Sequence, residues 1–140
     1  MTREAITALF AGYHDAMMRH DAAAIAALYA RDATLESPWA GIATGRSAIE
    51  EIYRTWFTAF PDAFFESREL VIDGDRVAWL VQVAGTQAGA FMGMGPTRKP
   101  FQFLFVLLCA LGDGLIERDR RIYDFTGLLV QIGHLKARPV

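Results

Sequence analysis

The segment Lys99–Leu111 is apolar on both of the faces a strand presents. Successive strand residues point to opposite sides, so Phe101, Phe103, Phe105 and Leu107 share one face while Leu104, Val106 and Leu108 share the other. Such a strand needs cover on both sides. Helices are expected to cover one of them, and a partner subunit the other, as a homodimer through the sheet. At 140 residues the chain is one domain, 1–140, large enough to bury a genuine core.

The first half supplies the helices. Thr2 caps a helix in which Ile6, Leu9, Phe10, Tyr13 and Met17 recur at helical spacing. Asp21 is suited to cap the alanine-rich segment Ala22–Ala30. Thr34–Ser37 reads as a short strand before Pro38, and Trp39–Gly45 as a loop. A third helix is expected from about Ser47 to Phe60, with Ile49, Ile52, Tyr53, Trp56 and Phe60 on one stripe. The second half supplies hairpins. Phe64–Ile72 and Arg76–Thr86 flank Asp73-Gly74-Asp75, and Asp113-Gly114 leads from the long strand into the last one. Between the hairpins lies Ala88–Arg98, rich in Gly and Met, and a helical turn near Thr126–Ile132 precedes a polar tail. Three helices followed by long antiparallel hairpins predict an α+β fold, a curved sheet wrapped on helices.

The net charge of −2, with Lys and Arg scattered, gives no electrostatic reason to expect nucleic acid. The single cysteine, Cys109, has no internal disulfide partner and falls in an apolar run where burial is its expected fate. Phe101–Leu111 is shorter than the roughly 20 residues a membrane span needs. No apolar segment near the start reads as a signal peptide, and a cytoplasmic protein without membrane contact is expected. His, Asp and Glu fall at no metal-ligand spacing, so no metal is expected.

The residue patterns continue along nearly the whole chain. They include Phe10-x-x-Tyr13, His20-Asp21, Leu28-Tyr29-Ala30-x-Asp32-Ala33, Gly45-Arg46-x-Ala48-Ile49 and Phe60-Pro61-Asp62. Gly85-Thr86-x-x-Gly89-x-Phe91-Met92-Gly93, Pro96-Thr97-x-Lys99 and Tyr123-Asp124…Gln131-Ile132-Gly133 complete them. In these the chain resembles the SnoaL-like polyketide cyclase or ester cyclase family of the nuclear transport factor 2-like superfamily. The resemblance implies a cone-shaped, cystatin-like α+β fold with a small-molecule pocket between sheet and helices. It also implies a cyclase or isomerase that needs no cofactor and acts on an apolar or polyketide-like substrate. Two positions depart from the pattern: Gln87 stands where family members often carry His, and Arg98 where a Gly usually follows Pro-Thr. The start also resembles ketosteroid isomerase, with Tyr13 at the oxyanion-hole tyrosine. Ser37 would replace the base of that enzyme and an apolar residue near Val106 its second acid, so isomerase chemistry of that kind is not expected.

Asp124, a carboxylate between aromatics at the close of the last strand, is the expected acid/base group, because burial raises a carboxyl pKa toward the working range. Its competing use is to cap the helical turn that follows. Arg120 lies at even spacing from Asp124, as do Arg118 and Ile122, so an unbroken strand places them on one face. Arg120 then either faces the cavity or pairs across a solvated strand edge. Tyr13 and Gln87 are the expected polar supports, and Trp39, Tyr53, Trp56, Phe91, Met92 and Met94 the expected pocket wall. Tyr53 and Trp56 also fit a plain core, and the Gly85–Lys99 loop is either a flap or a long hairpin connection. A ligand-binding protein without turnover is the alternative on the same fold.

Overall fold

A computed structural model of the protein describes residues 1–136. Helix α1 (Arg3–Met18) begins where Thr2 Oγ1 accepts the Ala5 N–H at 3.0 Å, and it buries Ile6, Phe10, Tyr13, Ala16 and Met17. Helix α2 (Ala22–Ala26) begins at Asp21, whose carboxylate accepts the Ala24 N–H. The expected continuation of α2 to Ala30 is corrected by the structure. Strand β1 (Tyr29–Ser37) starts there instead, with Tyr29 beside Ile116 and the Ile116 N–H donating to Leu28 O. Sheet pairing overrides the local helix preference of the alanines.

Strand β2 (Gly41–Thr44) forms in the segment read as a loop, paired antiparallel to β1. Helix α3 (Arg46–Ala59) follows, then strands β3 (Phe64–Asp73), β4 (Arg76–Thr86), β5 (Pro100–Gly112) and β6 (Leu115–Ile122), and finally helix α4 (Phe125–Gln131). The six strands are ordered β2-β1-β6-β5-β4-β3. All neighbours are antiparallel except β1 and β6, a parallel pair that brings the start of the chain against its last strand.

Val77, Trp79, Val81 and Val83 of β4 are buried beneath the helices, as are Phe101, Phe105, Leu107, Cys109 and Leu111 of β5. The opposite face of β5 and β6 carries Leu104 and Ile122, 48 % and 62 % exposed in the single chain. The doubly apolar strand therefore has one face in the core and one at the surface. No helix is long and apolar enough to cross a membrane among the described residues.

Candidate functional site

The site is built by a fault in one strand. The β5–β6 hairpin turns through Asp113 and Gly114, both left-handed at φ 51° and 80°, as a two-residue hairpin of type I′ requires. It pairs Gly112 with Leu115 and Leu111 with Ile116, yet the next pair is Ala110 with Arg118. Glu117 is thus an extra residue in β6, a bulge that exchanges the two faces of everything beyond it. Ile116 lies in the core before the bulge, and Asp119, Arg121 and Tyr123 turn inward after it. Arg118, Arg120 and Ile122 turn outward.

Asp119 is fully buried and Arg121 is nine-tenths buried, a rare environment for either residue without a partner. They pair with each other, Arg121 Nη2 lying 3.1 Å from Asp119 Oδ2. Three tyrosines from three elements close around the pair: Tyr13 of α1, Tyr29 of β1 and Tyr53 of α3. Arg121 Nη2 lies 2.6 Å from the hydroxyls of both Tyr13 and Tyr53 and 3.3 Å from that of Tyr29. The Tyr13 hydroxyl is hydrogen-bonded to those of Tyr29 and Tyr53. Tyr29 donates to Asp119 Oδ2 at 2.6 Å. The Arg121 guanidinium also lies 5.1 Å from the centre of the Tyr53 ring.

Burial raises the pKa of all three tyrosines; Asp119 adds to the rise and Arg121 partly offsets it. They remain neutral donors. Burial opposes the charge on Arg121, but Asp119 and the tyrosine oxygens outweigh it and raise its pKa, so the cation persists. Cys109 faces Asp119 across the β5–β6 ladder, and burial followed by that carboxylate pushes the thiol pKa up. It is an inert, protonated side chain.

Above this cluster is a cavity of about 40 Å³. Leu35, Tyr53, Phe65, Phe105 and Arg121 lie on its inner side, and half-buried Trp39, Ile52, Trp56, Phe103 and Tyr123 form the rim. Its polar groups are Arg121, Tyr53, Ser37 and Tyr123; none of its lining residues is Asp, Glu or His. The Tyr123 hydroxyl is pushed up to about 12 by burial. Each Arg121 hydrogen bond runs through Nε or Nη2. Nη1 takes part in none of them, which leaves it able to donate to an oxygen in the cavity that Arg121 lines. An apolar box with one fixed cation and a neutral hydroxyl suits a flat, mostly carbon ligand carrying one electron-rich oxygen.

The expected site residues divide. Trp39, Tyr53 and Trp56 line the cavity. Tyr13 stands one hydrogen bond behind it, through Tyr53. Asp124 does not reach the cavity; it is exposed and caps α4, accepting the Gly127 N–H at 2.8 Å. A Cβ on Gly127 would sit 2.2 Å from that carboxylate, which would have to turn to make room. Arg120 is likewise outside, on the solvent side of the strand, paired with Glu36 at 3.1 Å. The bulge at Glu117 is the reason for both corrections.

Gln87 is buried but holds the Gly85–Lys99 loop rather than the cavity. Its amide donates to Gly89 O and Gly95 O, and its Oε1 bonds Thr97 and His134. The loop in turn packs on the end of α3, where Ala88 and Gly89 N–H donate to Ala59 O. Phe91 is buried against Trp39, Trp56 and Phe60, backing the cavity wall. Met92 is half exposed and Met94 only partly covered, and neither lines the cavity. Replacing Asp124 with Ala is expected to cost about 1 kcal/mol by removing the helix cap. Ligand affinity should stay unchanged; urea denaturation and a binding titration on the same variant check both halves.

Tyr29, Asp119, Arg121, Ser37 and Tyr123 escaped the sequence reading as site residues. Tyr29 stood only within the pattern Leu28-Tyr29-Ala30-x-Asp32-Ala33 and Ser37 only at the position of the isomerase base, neither with a site role of its own. An unbroken hairpin predicts Arg120, not Arg121, opposite Leu107, and only the bulge reverses this. Among the described residues no three His, Cys, Asp or Glu side chains gather as a metal-binding group.

Helices packed on one face of a six-stranded sheet place the chain in the ketosteroid isomerase-like, nuclear transport factor 2-like fold class, as the solved structures similar to it show. The family model for SnoaL-like polyketide cyclases matches residues 7–132, and the chain belongs to that family. Steroid Delta-isomerase of Nocardioides simplex is 55 % identical over 49 residues, a stretch covering 34 % of this chain and 40 % of that enzyme. The match thus spans well under half of that relative's length. Among solved structures, AclR of Streptomyces galilaeus superposes with a TM-score of 0.82 at 26 % identity, covering 95 % of this chain and 83 % of its own. TsrD of Streptomyces laurentii gives a TM-score of 0.86 at 20 % identity, covering 96 % and 99 %, a likeness of fold.

Proposed function

We propose that this protein is a cofactor-free enzyme of the cyclase or isomerase type, acting on a small, mostly apolar carbonyl compound of polyketide character. The carrying observation is that Arg121 and Tyr53, hydrogen-bonded to each other through Nη2, both line an aromatic cavity while Arg121 Nη1 stays outside their hydrogen-bond network. An enolate or alkoxide forming there meets a fixed cation and a neutral donor that need no reorganisation, the arrangement that stabilises an oxyanion most. In an aldol closure the enolate carbon would attack a second carbonyl of the same molecule. One C–C bond forms, and the second carbonyl oxygen takes up a proton. A two-ring substrate exceeds the present cavity, so its entry requires the rim tryptophans Trp39 and Trp56 to swing outward.

The test uses 4-nitrophenol, whose anion is coloured and whose neutral form is not. Binding is expected to favour the anion, lowering the pH at which bound probe turns yellow by at least one unit, tenfold in affinity. Arg121→Gln should abolish that shift. Equal affinity for both forms in the native protein would refute an oxyanion site. Ligand binding without turnover remains a second reading, favoured by the lack of any Asp, Glu or His in the lining. Exchange of the benzylic protons of 2-indanone into heavy water separates the two, since a mere binder leaves that rate at the buffer value.

A further inference from the structure

An enolising site needs a base, and the cavity lining offers no carboxylate or imidazole. We propose that the hydroxyls of Tyr53, Tyr13 and Tyr29 form a proton relay from the cavity to the buried carboxylate of Asp119. This rests on the oxyanion reading above and supplies its missing proton acceptor.

The direction of the relay follows from counting donors. A carboxylate only accepts, so the Tyr29 hydroxyl proton points at Asp119 Oδ2. Tyr29 has no second proton, so in its bond with Tyr13 it accepts and Tyr13 donates. By the same count Tyr13 accepts from Tyr53. Tyr53 lines the cavity, and its oxygen keeps one lone pair beyond the one that takes the Arg121 N–H. All three hydroxyls thus point one way, from cavity to carboxylate. Their burial keeps each tyrosine protonated, so each has a proton to pass on.

In the step itself the substrate C–H bond breaks and its proton goes to the Tyr53 oxygen. The Tyr53 proton moves to Tyr13, that of Tyr13 to Tyr29, and that of Tyr29 to Asp119 Oδ2. The electron pair left on carbon delocalises onto the carbonyl oxygen beside Arg121 Nη1. Each tyrosine ends with one proton, as it began. The net change is that Asp119 gains a proton and the substrate becomes an enolate. One negative charge has passed from one side of the Arg121 guanidinium to the other, so the cation never lacks a counter-ion. Asp119 Oδ1 has no hydrogen-bond partner among the described residues, so half of the carboxylate is uncommitted to structure. Run backwards, the relay returns the proton to the new alkoxide at ring closure.

The decisive variants are Tyr29→Phe and Tyr13→Phe. Each removes one hydroxyl behind the cavity and leaves Tyr53 and Arg121 in its wall. Two readouts are taken on each: anion-selective binding of 4-nitrophenol, and proton exchange of 2-indanone in heavy water. The expected result is exchange reduced about 100-fold or more, the usual worth of a positioned base, while nitrophenolate affinity falls no more than about tenfold, the coupling expected because both hydroxyls share Arg121 with the ligand. A purely structural role for the tyrosines would lower both together. Exchange unchanged in a folded Tyr29→Phe or Tyr13→Phe protein overturns the relay and leaves the oxyanion reading standing. A native protein that fails to select the anion overturns the oxyanion reading, and the relay with it; one that selects the anion yet leaves 2-indanone exchange at the buffer value overturns the relay alone.

Discussion

Replacing Arg121 with Leu is expected to cost about 3–5 kcal/mol of folding stability, the usual penalty for stranding one member of a buried ion pair. That is a large share of the roughly 5–15 kcal/mol a domain of this size possesses. Asp119, with no exposed surface, would keep Tyr29 as its only strong donor. The hydroxyls of Tyr13 and Tyr53 would each lose a 2.6 Å contact. The double variant Asp119→Leu, Arg121→Leu removes both charges and is expected to recover most of the loss. Urea midpoints of the two variants give the comparison. If the double variant is no more stable than the single one, pairing of the charges is not what the cluster contributes. Loss of anion selectivity in a folded Arg121 variant separates this structural share from the functional one.

The second large effect is expected in alkali. Tyr13, Tyr29, Tyr53 and Tyr123 are all the tyrosines of the chain, and each has its pKa raised by burial, Tyr123 to about 12. Below the unfolded tyrosine pKa of about 10, both folded and unfolded chains keep these protons and stability is intact. Above it the unfolded chain releases protons that the folded chain retains. Stability then falls by about 1.4 kcal/mol per pH unit for each tyrosine held back, until pH passes its folded pKa. The protein should therefore unfold cooperatively above pH 10, with tyrosinate absorbance and loss of circular dichroism rising in one transition. Tyrosinate appearing in separate steps while the native dichroism persists would contradict the buried cluster.

The elements were legible where local signals agree with the core. Thr2 and Asp21 cap the helices they were expected to cap, and Asp113-Gly114 makes its hairpin. Val77, Trp79, Val81 and Val83 face inward together, as alternation requires. Legibility ended where a distant partner decides. Tyr29 leaves the helix for a strand because β6 lies beside it, ninety residues further along the chain. Asp124 offered two uses, and its bond to the Gly127 N–H is the capping one.

What the sequence determined by itself is the α+β class and the family pattern; it left Tyr53 and Trp56 open between a pocket wall and a plain core. Periodicity, turn residues and motif spacing are properties of neighbours along the chain, and they survive without knowledge of the fold. The tertiary structure alone decided which charges enter the core. The run Glu117–Arg121 has a charge at every position, so its pattern contains no apolar face to set the register. One extra residue at Glu117 sends Arg120 to solvent and Arg121 to the cavity. Three tyrosines drawn from α1, β1 and α3 then make Arg121 tolerable there, a convergence that exists only once the sheet has closed on the helices.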